Sequence, residues 1–127
     1  MSLKFYKKER EEFSKEFEMR MTQTDTEKIS KKIARHFKFT LPGLNFRYNT
    51  DHGLAKLGGW GMNLPQVPTL GLLLHELAHF HNYEKKINYN HNKKLMRTIR
   101  RFVKYCQKKN YWNKTIHYIG TSQEGKE

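Results

Sequence analysis

The densest apolar stretch in the chain runs from Leu70 to Phe80, where Leu70, Leu73, Leu74, Leu77, Ala78 and Phe80 surround the polar His75, Glu76 and His79. Apolar residues on every side predict a largely buried helix, beginning at about Thr69 just beyond Pro65 and Pro68. A different pattern extends from about Asn92 to Lys109. At 100° per residue, Leu95, Met96, Ile99, Phe102, Val103 and Cys106 share one arc, while Lys93, Arg97, Arg100, Arg101, Lys104 and Lys108 occupy the other. One face packs and the other is cationic. Nearer the N-terminus, Leu3, Tyr6, Phe13 and Phe17 have helical spacing, predicting a helix over about Leu3 to Met21. Thr24 followed by Glu27 matches a capping box, and the stripe Ile29, Ile33, Phe37 carries a second helix to about Lys38, before Pro42-Gly43.

Between Leu44 and Leu64 the texture changes to short aromatic and apolar pieces broken by Asn49-Thr50-Asp51, Gly53 and Gly58-Gly59, which predicts two or three short strands. Lys114 to Ile119 offers a further strand. The expected fold class is α+β in one domain: N-terminal helices over 1–43, a core over 44–119 with a small mixed or antiparallel sheet, and a tail over 120–127 with no predicted structure.

A chain of 127 residues suits one modest core, and a mean hydropathy of -0.94 with no long apolar run argues against a membrane span. The start, Met1-Ser2-Leu3-Lys4-Phe5-Tyr6-Lys7-Lys8-Glu9, is too charged for a secretory leader, so a cytoplasmic, intracellular protein is expected. Cys106 is the single cysteine, which excludes an intramolecular disulfide and a cysteine-rich zinc ribbon. Any metal must be held by histidine and carboxylate. The net charge of +13 favours polyanionic partners, nucleic acid before anionic surfaces.

His75-Glu76-Leu77-Ala78-His79 fits H-E-x-x-H. Residues four apart on a helix differ by about 40° in azimuth and about 6 Å along the axis, so both imidazoles reach one ion. Glu76, one position on, is aimed at water beside that ion, where it can accept a proton and pass it to a leaving amine. A random ordering of this composition would contain the motif roughly 3% of the time, so its weight comes from the apolar helix around it. A catalytic zinc needs a third protein ligand and an open fourth position. His52, His81, Glu84, His91 and His117 are the candidates. His81 and Glu84 point away at about 200° and 140° from His79. His91, opening the next helix after a polar turn, is favoured, with His117 in reserve. His36 and His52 read as surface or capping residues.

His75 to His79, eleven intervening residues, and His91-Asn92-Lys93-Lys94-Leu95 together resemble the SprT-like zinc metallopeptidases, over about Leu57 to Cys106. The resemblance implies a zincin-like domain with one Zn²⁺ per chain on His75, His79 and His91, and Glu76 as general base. It also implies that Trp60-Gly61-Met62-Asn63-Leu64 forms a cleft-edge strand whose free edge pairs with extended peptide. Asn92 stands where Gly is usual, a substitution that left-handed backbone angles would permit. No zinc ribbon follows the core. The N-terminal helices lie outside the resemblance and receive no role.

From Lys85 to Gln123 there is no acidic residue, so the cationic arc Lys93, Arg97, Arg100, Arg101, Lys104 and Lys108 reads as a nucleic-acid surface, for DNA or another nucleic acid, with a solvated helix face as the alternative. Tyr105, Tyr111 and Trp112 could stack on bases or pack in the core. Tyr83 and Tyr89 are candidate oxyanion donors or structural residues. Cys106 reads as a buried small side chain. Two functions remain open at this level. One is a metalloendopeptidase acting on a protein or peptide, including DNA-associated protein or a regulator. The other is a non-proteolytic nucleic-acid-binding accessory protein with a structural metal.

Overall fold

The computed structural model describes residues 2–47, 54–55, 61–87, 91–112 and 118–119. Trp60, His52, Tyr89 and His117 lie outside them, as do the turns around Gly53 and Gly58 and most of the segment expected to form a strand from Lys114. The order is α1 (Ser2–Glu12), a 3-10 turn (Glu16–Glu18), β1 (Arg20–Met21), α2 (Gln23–Phe37), β2 (Gly43–Arg47), β3 (Leu54–Ala55), β4 (Gly61–Pro65), α3 (Leu70–Glu84), α4 (Lys93–Lys108), a 3-10 turn (Asn110–Trp112) and β5 (Tyr118–Ile119). The result is a small mixed α/β fold, and among the described residues no helix is long and apolar enough to cross a membrane.

α3 is the central element. Leu70, Leu73, Leu74, Leu77 and Ala78 are fully buried, so the all-round apolar pattern is satisfied by neighbours on several sides rather than by one packed face. Its start is pinned twice. The Thr69 side chain accepts from the Leu72 amide at 3.1 Å, and the Leu70 amide donates to the Met19 carbonyl at 2.7 Å. α4 packs its predicted apolar arc inward, with Leu95, Ile99, Phe102 and Cys106 almost fully buried. Burial pushes the Cys106 thiol well above its ordinary pKa, as suits a packing residue. A buried polar link joins the two helices: Asn82 Oδ1 accepts from Thr98 Oγ1 at 2.8 Å and lies 2.8 Å from His81 Nδ1.

The expected first helix is shorter than its spacing suggested. α1 ends at Glu12, and Glu16–Glu18 forms a separate 3-10 turn. Its inward stripe is Phe5, Glu9, Phe13 and then Glu16, all at most 7% exposed, whereas Tyr6 is 42% exposed. Two carboxylates on an inward stripe broke the pattern of apolar residues. α2 begins earlier than the Thr24–Glu27 box implied: Thr22 is the cap, accepting from the Asp25 amide at 3.1 Å, because β1 stops at Met21 and the chain turns into the helix at once.

The sheet is mixed, in the order β2-β4-β3, with β2 parallel and β3 antiparallel to β4. β4 was expected to present a free edge, but it is the middle strand. Gly61–Pro65 pairs along its whole length with Gly43–Arg47, and Met62 and Asn63 also face Ala55 and Leu54. Met62 and Leu64 are fully buried, so part of the expected peptide platform serves the core. β1 and β5 form a separate two-stranded ladder, placing the predicted C-terminal strand at Tyr118–Ile119.

Candidate metal centre

His75 and His79 project from successive turns of α3, and His91 meets them from just before α4. The Nε2 atoms of His75 and His79 each lie 3.2 Å from His91 Nε2. A tetrahedral ion about 2.0–2.1 Å from each nitrogen separates its ligand atoms by about 3.3 Å, so the two pairs that include His91 have ligand spacing, and all three ligand atoms lie within 4.8 Å of one another. These histidines form a three-residue cluster close enough to hold a metal. The other candidates within the described residues are engaged elsewhere. His81 is buried against Asn82 and the rings of Phe37, Phe39 and Phe102, and a Glu84 carboxylate oxygen accepts from the Thr40 amide at 2.8 Å.

His91 is held in place by its neighbour Asn92. The Asn92 side chain caps α4, accepting from the amides of Lys94 at 3.0 Å and Leu95 at 3.2 Å. Its φ of -147° is extended, so the expected left-handed angle is not adopted. The residue is favourable here as a cap.

The N-terminal helix completes the centre. Glu9, 1% exposed, places Oε2 2.6 Å from His75 Nδ1. Donation by Nδ1–H to this carboxylate leaves the Nε2 lone pair facing His79 and His91, the tautomer a ligand requires. Burial draws the His75 pKa down, but the hydrogen bond and charge of Glu9, with the charge of Glu76, hold it above the ordinary value. His91 is shifted the other way, by burial and by the charge of His75. Phe5 and Tyr6 cover the same rings, with centroids 5.2 and 5.0 Å from that of His91. The Tyr6 hydroxyl lies 3.4 Å from His91 Nε2. Its pKa is raised by burial and then by the charges of Glu76 and Glu9, so the hydroxyl remains protonated and both carboxylates act on it.

Glu76 is 6% exposed on the turn of α3 that carries His75. Sequence reasoning missed Glu9 and Tyr6 because the N-terminal helices lie outside the resemblance. Phe5-Glu9-Phe13, with its spacing of four, does carry a signal: a carboxylate in the middle of a buried stripe needs a buried partner. The Tyr6 hydroxyl, which was not among the oxyanion candidates Tyr83 and Tyr89, stands beside His91 of the cluster. No known family model, curated protein or solved structure matches the chain.

The cationic residues of α4 do not form a uniform free face. Lys93, Arg97, Lys104 and Lys108 are exposed. Arg100 instead makes a two-pronged contact with Glu12 of α1, at 2.5 and 3.0 Å, and the Arg101 guanidinium lies 5.2 Å from the Phe37 ring centroid.

Proposed function

We propose that this chain is a zinc-dependent metalloendopeptidase of the SprT-like, zincin type. The observation that carries the reading is the convergence of His75 and His79 on His91, each Nε2 3.2 Å from that of His91, beside a buried Glu76. The three-imidazole donor set suits zinc, which when bound would polarise the scissile carbonyl and bring the pKa of bound water to about 7.

The chain's own residues supply the rest. Glu76 accepts the proton of the attacking water and transfers it to the leaving amine. Glu9 orients His75, and the Tyr6 hydroxyl donates to the carbonyl oxygen as it gains negative charge. With β4 enclosed, the extended substrate is assigned to the outer edge of β3, an antiparallel edge strand that lies against α3.

The test is elemental analysis of wild-type, His75→Ala, His91→Ala and Glu76→Gln proteins, with turnover of an unfolded protein substrate. The expected result is one zinc per wild-type chain, loss of zinc in both histidine variants, and a Glu76→Gln protein that keeps zinc and loses turnover. Turnover by Glu76→Gln at the parental rate would overturn the mechanism. A wild-type protein without zinc would overturn the assignment.

A further inference from the structure

Between α2 and the C-terminal end of α4 lies a depression of about 330 Å³ lined by Lys32, Arg35, His36, Tyr105 and Lys109. Lys32, Arg35 and Lys109 are cationic, and among the described residues no carboxylate lines it. Within it the His36 ring lies flat on the Tyr105 ring, with centroids 4.0 Å apart and planes 18° from parallel. Tyr105 is braced from behind by Phe37, edge-on at 5.5 Å, and flanked by the Lys109 ammonium at 5.8 Å. His36 is exposed, so the pair forms a two-ring stack supported on the core side.

A supported aromatic face ringed by cations matches the chemistry of a nucleotide: a flat base beside an anionic phosphate. We propose that this groove seats one nucleotide of a single-stranded nucleic acid, its base on the outer face of His36 and its phosphate among Lys32, Arg35 and Lys109. A strand is favoured over a free nucleotide because exposed Lys104 and Lys108 continue the positive surface along α4, where adjoining phosphates would lie. A duplex is disfavoured because its bases are already stacked on one another. The site therefore draws on α2, which the charge pattern of α4 alone did not implicate, and it is independent of the metal centre.

The test uses the full chain and fluorescence anisotropy with a labelled oligothymidine of about a dozen nucleotides, within the usual site size of such proteins. Its duplex form and free thymidine monophosphate serve as competitors. His36→Ala should weaken binding of the single strand by about tenfold, the scale of one lost stack. Lys32→Ala with Arg35→Ala should lessen the dependence of log Kd on log salt by about 0.7 per phosphate contact removed. Lys7→Glu with Lys8→Glu, exposed positions on α1, should have a smaller effect than Lys32→Glu with Arg35→Glu, although the charge change is equal. Equal losses from both double reversals, or an unchanged His36→Ala, would mean diffuse attraction and overturn the site. Stronger competition by the duplex than by the single strand would overturn it too, as would saturation by the free nucleotide at equal nucleotide concentration. All these substitutions are at exposed or half-buried positions, and unchanged circular dichroism and Tm confirm that folding is not the cause.

Discussion

Glu9 on α1 and His75 on α3, 66 residues apart in sequence, are joined by a 2.6 Å contact in which both side chains are almost wholly buried. The contact ties the first helix, which carries no element of the H-E-x-x-H motif, to the first histidine of the candidate metal centre. Glu9→Gln keeps the volume but removes the negative charge that fixes the imidazole tautomer. We expect a loss of metal affinity of about 10- to 100-fold, the usual scale for such supporting carboxylates. Competition with a chromophoric zinc chelator measures it. Unchanged affinity with a lowered Tm would show that Glu9 supports only the packing of α1.

His81 gives the fold a pH dependence whose sign can be worked out. Burial lowers its folded-state pKa, partly opposed by the hydrogen bond with Asn82. Above the ordinary histidine pKa of about 6.5 both states are neutral and this group contributes no slope. As pH falls through that value the unfolded ring binds a proton first, so stability falls until the lower folded-state pKa is reached. His81→Phe removes the titration while preserving ring contacts with Phe37, Phe39 and Phe102. The difference in Tm between the two metal-free proteins should therefore shift in favour of the variant between about pH 7 and pH 5. Parallel curves would refute the assignment.

Gly71 stands one residue inside α3, where a Cβ would come within 2.6 Å of the Phe17 ring. Alanine gains about 1 kcal/mol of helix propensity over glycine, but overpacking costs about 1–3 kcal/mol, so Gly71→Ala should be neutral to destabilising rather than stabilising. The diagnostic is the double variant with Phe17→Ala. Removing the ring removes the clash, so urea unfolding should show the two changes costing clearly less together than their sum. Additive costs would mean that Phe17 moves aside freely.

α3 and α4 were legible in the sequence because their apolar patterns are long and their limits are capped by Thr69 and Asn92, both residues with strong local preferences. The three histidines were legible because two share a helix face and the third adjoins a helix start. The middle position of β4 was not, because strand order depends on pairings between Gly43–Arg47 and Gly61–Pro65 that local alternation does not encode. Glu9 and Glu16 were hidden for a related reason. Each sits on an inward face among apolar residues and is satisfied by a distant partner: His75 for Glu9, and Gln107 and Tyr111 for Glu16.

Arg100 was grouped with the nucleic-acid-facing cations from its position on α4, and its contact with Glu12 also links α1 to α4. Both side chains are substantially exposed, so Arg100→Ala should cost no more than about 1 kcal/mol. It should also leave the salt dependence of oligonucleotide binding close to that of the parent, unlike Lys32→Ala with Arg35→Ala. A large fall in that salt dependence would place Arg100 in contact with phosphate.

Tyr6 offers the sharpest separation of chemistry from metal binding. Its hydroxyl is 3.4 Å from His91 Nε2, within reach of the oxygen of a carbonyl presented to the same centre, while the residue is 42% exposed and lies outside the buried core. Tyr6→Phe removes one oxygen and leaves the ring over His75 and His91. If the hydroxyl stabilises charge that appears only as water attacks, kcat should fall about a hundredfold while KM and zinc content stay near the parental values. If the hydroxyl instead holds the ground-state substrate, KM should rise with kcat preserved. Loss of zinc from Tyr6→Phe would assign the hydroxyl to the metal centre itself and exclude it as a donor to substrate.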